Sequence, residues 1–282
     1  MSDKARSFPN PLLVNTHGRL WHWPATRTTA LSCFALHGWT GSGLDFESRV
    51  DCQEDVEGDF WAVDLPGHGD TSEQSAHSTA QVLSFLEEAW KTTGEQAENC
   101  VLLGYSMGGR MALQWALDTP ERWAAVVLIG ATPGLEAEKE RLVRQASDEQ
   151  RARRIEEVGA KAFWKEWRQH PLIASQLRMK EPWLSRLEAR RLNNSTAGLA
   201  ASLRGYGTGS MPSGWERLEH LKRPVLLITG QEDSKFNALA ERMVSLLPQA
   251  QHRSIAGAGH APHLEQPETT WQVISQWTKK WK

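Results

Sequence analysis

A serine hydroxyl does little chemistry at neutral pH until an imidazole takes its proton and a carboxylate orients that imidazole. The 282-residue chain carries all three groups where a fold could bring them together. Ser106 sits in Gly104-Tyr105-Ser106-Met107-Gly108, between the apolar run 101–103 and a segment of helical spacing at 107–117. On such a strand-to-helix turn the hydroxyl stands clear of the sheet, and the two glycines allow the close approach the turn demands. Asp233 closes Gly230-Gln231-Glu232-Asp233 after the apolar run 224–229. His260 closes Ala256-Gly257-Ala258-Gly259-His260 after a short run near 253–255. The expected chemistry is proton handling at Ser106, with His260 as base and Asp233 as orienter. Ten histidines offer competitors: His263 is the second candidate for the base, whereas His37 and His68 lie in glycine-bearing turns and read as structural. Glu232 is the second candidate for the orienting carboxylate.

Developing negative charge on a reacting oxygen needs fixed donors. Leu36-His37-Gly38-Trp39-Thr40-Gly41, after the first long apolar run, offers the backbone N–H of Trp39, and the residue after the serine offers that of Met107. Arg110 falls one turn into the helix that Ser106 starts. A cation is disfavoured at a helix N-terminus, so an anionic partner close to the serine would resolve the conflict; an ion pair with a lid carboxylate is the plainer alternative. Arg141 and Arg144 share a helical face, Arg190-Arg191 precede Asn193-Asn194, and Lys235 follows Asp233 by two residues. Together these cations suggest a pocket built for carboxylates.

The elements that must position these groups are legible as alternation. Short apolar runs at 30–36, 60–63, 101–103, 124–129 and 224–229 read as buried strands, each ending in a Gly- or Pro-bearing turn. Segments 80–91, 107–117, 238–247 and 268–279 carry helical spacing. Repeated β-α order predicts a mostly parallel sheet with helices on both faces. The stretch 136–217 breaks the pattern, being charged, helical and set with Trp164, Trp167, Trp183 and Trp215. It reads as a helical lid inserted over the carboxyl ends of the strands, where open α/β sheets place ligands; an independent helical domain is the alternative. The core is then 1–135 and 218–282.

Composition narrows the partners. With 32 Lys and Arg against 34 Asp and Glu, the overall field gives no reason to expect nucleic acid or an anionic membrane as partner. No eighteen apolar residues run together, and the first ten residues lack the apolar stretch of an export signal. Cys33, Cys52 and Cys100 have no metal-ligand spacing and fit a reducing cytoplasm. The expectation is a cytoplasmic protein without stable membrane insertion, a monomer or small homo-oligomer, with a small-molecule partner.

The order Ser, Asp, His resembles that of the α/β-hydrolases. Gly104-Tyr105-Ser106-Met107-Gly108-Gly109-Arg110, Thr132-Pro133-Gly134-Leu135 leading to Arg141 and Arg144, Phe163-Trp164-Lys165-Glu166-Trp167 before Pro171-Leu172, Arg191-Leu192-Asn193-Asn194, and Glu232-Asp233-Ser234-Lys235-Phe236 together resemble the 2-succinyl-6-hydroxy-2,4-cyclohexadiene-1-carboxylate synthases. These are lyases of menaquinone and phylloquinone biosynthesis with the α/β-hydrolase fold and a helical lid. The resemblance implies Ser106, Asp233 and His260 as triad and Trp39 and Met107 as oxyanion donors. It implies Tyr105, Arg110, Arg144, Trp167, Arg191 and Lys235 around a polycarboxylate substrate, with no metal or organic cofactor required. Ile173 and Glu136 depart from the pattern, at positions where an aromatic residue and a Gln or basic residue are expected. A serine hydrolase of esters or carbon–carbon bonds would use the same triad, and a non-catalytic binding protein could share the fold.

Overall fold

The computed structural model describes residues 9–14, 18–25, 31–52, 58–71 and 76–281. Most of the N-terminal decapeptide and position 30 of the first expected strand lie outside these. Eight strands form one sheet: β1 (Asn10–Val14), β2 (Gly18–Trp23), β3 (Ser32–Leu36), β4 (Phe60–Val63), β5 (Cys100–Tyr105), β6 (Ala125–Ile129), β7 (Val225–Gly230) and β8 (Ala250–Ile255). Their order is β1-β2-β4-β3-β5-β6-β7-β8. The β1–β2 and β2–β4 pairs are antiparallel, and β4, β3, β5, β6, β7 and β8 run parallel.

The central strands are apolar throughout because both faces are covered. Along β5, Cys100 and Leu102 enter one core while Val101, Leu103 and Tyr105 enter the other. β6 and β7 divide likewise, Val126, Leu128, Val225 and Leu227 against Val127, Ile129, Leu226 and Ile228. That is the period-two alternation of a strand, hidden in sequence because neither face meets water. Helices α2 (Thr79–Thr93), α3 (Met107–Asp118) and α8 (Ser234–Leu246) supply the first core through Leu86, Met111, Trp115 and Met243. Helix α10 (Pro267–Thr278) supplies the second through Trp271, Ile274 and Trp277. Short α1 (Ser48–Cys52) and α9 (Pro262–Glu265) lie beside it.

The sequence reading lacked β1 and β2 and shortened β8. β1 and β8 are the edge strands, each with one neighbour, and β2 is next to the edge; in all three the apolar run is broken. β1 holds Pro11, tolerated at an edge because its missing N–H removes no ladder bond that matters. β8 is largely exposed or half-buried apart from Ile255.

Between β6 and β7 the chain makes helices and no strand: α4 (Glu138–Val158), α5 (Ala160–Trp167), α6 (Trp183–Leu192) and α7 (Thr196–Tyr206), with 3-10 turns between and after them. Ala152 and Ile155 of α4, Phe163 of α5 and Leu199 and Leu203 of α7 form a separate small core. Trp39, from the loop after β3, packs against that core, so the helical layer is docked on the carboxyl edge of the sheet.

Candidate active site

Strand β5 ends at Tyr105 and helix α3 begins at Met107, so Ser106 alone makes the turn. Its backbone, φ 50° and ψ −106°, is one that a residue with a Cβ adopts under strain. Packing enforces it. A Cβ on Gly104 would stand 2.5 Å from the Gly108 carbonyl oxygen, and one on Gly108 would stand 2.2 Å from that of Leu36. The Ser106 N–H donates to Ile129 at 2.8 Å and the Gly108 N–H to His37 at 3.0 Å. This second bond ties the loop after β3 to the start of α3. Trp39 and Met107 both line the cavity, and among the described residues neither backbone N–H has a protein acceptor.

Parallel strands bring the partners to the same edge. Asp233 caps α8 just after β7, its Oδ1 accepting the Phe236 N–H at 3.4 Å, and its Oδ2 lies 2.6 Å from His260 Nδ1. His260 Nε2 lies 2.9 Å from Ser106 Oγ. An ionised carboxylate only accepts, so Nδ1 carries hydrogen and Nε2 presents its lone pair to the serine hydroxyl. The imidazole is 2% exposed and is flanked by Phe236 and Tyr105, ring centroids 4.4 and 5.5 Å away.

Among the described residues, none of the alternatives hydrogen-bonds Ser106 or His260. His263 makes no hydrogen bond through either ring nitrogen, packs 4.4 Å from the Tyr105 ring, and burial pushes its pKa down to about 3. Glu232 receives Arg178 from the helical layer at 2.6 Å. His37 Nε2 accepts the Leu65 N–H at 2.9 Å, and burial lowers its pKa to about 4; the buried His68 falls to about 3. Both are structural.

Above Ser106 lies a cavity of about 740 Å³ lined by sheet loops and helical layer alike. Arg110 reaches it from α3, 8% exposed, donating to the Tyr206 carbonyl at 3.1 Å and to Met211 Sδ at 3.2 Å. Among the described residues no carboxylate lies within ion-pairing distance of it, and burial pulls its guanidinium down to about 10. The plainer expectation of an ion pair at Arg110 is therefore corrected: the cation faces the cavity with no carboxylate in direct contact, and Asp148 acts on it only through space. Arg144 and Arg151 share one carboxylate, Asp148, at 2.8 and 3.1 Å. Exposed Lys235 also lines the cavity, and Glu140 is the one lining acid left without a cation. Of the lining cations, Arg110 and Lys235 have no ion-pair partner among the described residues.

Tyr105 and Trp167 line the cavity as well, with Trp39 edge-on to Trp167 at 5.1 Å. Arg191 does not. Its guanidinium is 3% exposed and holds Asp45 with both nitrogens, at 3.0 and 2.7 Å, so its expected place at the substrate site is corrected to a buried pair. A partner 146 residues away cannot be read from local pattern. Arg141 is likewise spent on the Leu135 and Glu136 carbonyls, and Glu136 itself pairs with Arg242. The sequence reading missed Arg151, which stacks 5.0 Å from the Trp167 ring and lines the cavity. The signal was present: Glu140, Arg144, Ser147 and Arg151 recur at the spacing of one helical face, and all four line the cavity. Among the described residues no group of three or more His, Cys, Asp or Glu is placed to hold a metal, and no helix is long and apolar enough to cross a membrane.

Residues 34–267 match the family model described as the alpha/beta hydrolase fold, so the class is that of α/β-hydrolase-fold enzymes. A Bacillus subtilis (strain 168) protein, provisionally assigned as 2-succinyl-6-hydroxy-2,4-cyclohexadiene-1-carboxylate synthase, is 38% identical over 86% of this chain and 88% of its own. The synthase of that name from Escherichia coli O1:K1 / APEC is 33% identical over 82% of this chain and 87% of its own. Among solved structures, MenH from S. aureus superposes with a TM-score of 0.86 at 29% identity, covering 94% of this chain and 99% of that one. Within its class, the chain belongs to the 2-succinyl-6-hydroxy-2,4-cyclohexadiene-1-carboxylate synthase family.

Proposed function

We propose that the protein is a carbon–oxygen lyase that expels pyruvate from 2-succinyl-5-enolpyruvyl-6-hydroxy-3-cyclohexene-1-carboxylate, a step of menaquinone or phylloquinone biosynthesis, with residues 136–217 as the lid over the site. The observation that carries this reading is Arg110, a buried guanidinium opening onto the cavity one helical turn from Ser106 with no protein carboxylate against it. A site for neutral esters would gain nothing from that charge, whereas a substrate with three carboxylates supplies the missing partners. Arg110, the Arg144–Arg151 pair and Lys235 are the proposed carboxylate ligands, with Tyr105 and Trp167 as apolar walls.

The reaction needs a base and an enolate site. His260 takes the Ser106 proton, and the serine oxygen abstracts the ring proton beside the succinyl ketone. The N–H groups of Trp39 and Met107 receive the enolate oxygen. The C–H electron pair becomes a ring double bond, the existing double bond shifts by one position, and the C–O bond to the enolpyruvyl group breaks. His260 returns its proton to the departing enolpyruvate, which becomes pyruvate. No water enters, so the same triad serves elimination in place of hydrolysis.

The test supplies freshly made enolpyruvyl substrate to the purified protein and follows pyruvate, with nitrophenyl esters assayed alongside. The expected result is rapid pyruvate release, loss of at least about 10³-fold in Ser106→Ala, and slow ester turnover. Ester hydrolysis exceeding pyruvate release would move the protein to the hydrolases, and no reaction of Ser106 with a fluorophosphonate would remove the triad.

A further inference from the structure

A buried carboxylate that the proposed chemistry does not use lies directly beside the catalytic histidine. Glu265, the last residue of α9, has a side chain only 4% exposed and is not a triad member. Its Oε2 accepts the Gly259 N–H at 2.8 Å and its Oε1 accepts the Ala261 N–H at 3.0 Å. These two amides flank His260 on either side. Oε1 also accepts the Ser175 hydroxyl of the helical layer at 3.0 Å, and Arg178 stands 4.0 Å from Oε2.

We infer that Glu265 is a positioning residue for His260: one buried carboxylate clamps the peptide on both sides of the catalytic imidazole and so sets where its ring meets Ser106. Three features carry this. The ring must satisfy Asp233 and Ser106 at once, at 2.6 and 2.9 Å, so its backbone has little freedom to drift. The segment 256–260 is a glycine-rich loop outside any helix or strand, and only at its end does the Ala261 carbonyl accept the first backbone bonds of α9. A carboxylate offers two acceptor oxygens and no donor, which fits two converging N–H groups. Below the loop, the Glu232 N–H bonds the Ala258 carbonyl at 3.0 Å, fixing it to the Asp233 turn; Glu265 fixes the other end. The Ser175 contact adds that the helical layer touches the same carboxylate, so the clamp is closed from the lid side as well.

The inference rests on Ser106 and His260 being catalytic, as proposed above, and the test separates the two. Glu265→Gln keeps size and one acceptor but turns an amide donor toward a backbone donor. The primary readout is the second-order rate of fluorophosphonate labelling at Ser106, which needs activation by His260 but no particular substrate. In Glu265→Gln it is expected to fall about 10- to 100-fold, the cost of an ångström-scale misplacement. Pyruvate-forming kcat should fall in parallel and KM should stay within about twofold. Melting curves confirm that the variant is folded at the assay temperature, and Glu265→Asp, which keeps the charge but lacks the reach, should show the same labelling defect if Glu265→Gln proves unstable. Folded Glu265→Gln and Glu265→Asp that label at the wild-type rate would overturn the inference while leaving the triad intact. Wild-type protein that does not label at all would overturn the triad and the inference with it.

Discussion

Arg110→Met sets stability against function at a single position. Keeping a guanidinium charged where burial drags its pKa from 12.5 to about 10 costs the fold on the order of 3 kcal/mol at neutral pH, since one pKa unit is worth about 1.4 kcal/mol. The sign follows from protonation: both states are charged at pH 7, and the folded state is the one that disfavours the charge. Hydrogen bonds to Tyr206 and Met211 return about 1–2 kcal/mol. Methionine is of similar length and carries no charge, so the variant should be as stable as wild type or more so, by up to about 2 kcal/mol, which is a rise in Tm of a few degrees. A substrate carboxylate that loses a charge-assisted contact loses about 1.5–3 kcal/mol, so kcat/KM for pyruvate release should fall about 10- to 150-fold. Thermal unfolding and steady-state kinetics on one preparation read both effects. Such opposite movement is the mark of a residue kept for function at the expense of stability. A stable Arg110→Met enzyme whose kcat/KM stays within about threefold of wild type refutes the anion-binding argument.

Three further outcomes follow from the same structure. Arg191→Met should behave oppositely to Arg110→Met, because it strands the fully buried Asp45 carboxylate; a loss of about 3–5 kcal/mol in urea unfolding is expected, and an unchanged unfolding midpoint with a raised KM would return Arg191 to the substrate site. Gly108→Ala drives a methyl group to 2.2 Å from the Leu36 carbonyl oxygen, so the loop bearing the Trp39 N–H must shift; kcat should fall about 10²- to 10³-fold if one oxyanion donor is lost, and a wild-type kcat would show that this donor is not used. In pH titrations of unfolding, His37, His68 and His263, with pKa values lowered from 6.5 to about 4, 3 and 3, bind protons only when unfolded as pH falls below 6.5. Asp64, raised to about 7 by burial, acts with opposite sign. The net of two protons predicts that stability falls by about 3 kcal/mol per pH unit between roughly pH 6 and 5; stability rising on acidification in that window would contradict the burial of these imidazoles.

The parts of this protein legible from residues alone are those whose physics is local. A glycine-flanked serine between an apolar run and a helical segment specifies its turn, because the steric demand arises from neighbours within five residues. The central strands are legible because burial on both faces leaves an uninterrupted apolar run; Asp233 is legible because it follows such a run, and His260 because it closes a glycine-rich turn late in the chain. β1, β2 and most of β8 were obscure for the converse reason: toward the margins of the sheet, polar residues and Pro11 cost little. The charges are where tertiary structure decides. Arg110, Arg144, Arg151 and Arg191 are alike in sequence as cations on helices, yet Arg191 meets Asp45 in a dry interior while Arg110 meets an open cavity. A guanidinium is set to structural or ligand-binding use by whether a carboxylate distant in the chain reaches it, and Coulomb attraction acts over ångströms of space that sequence separation does not measure.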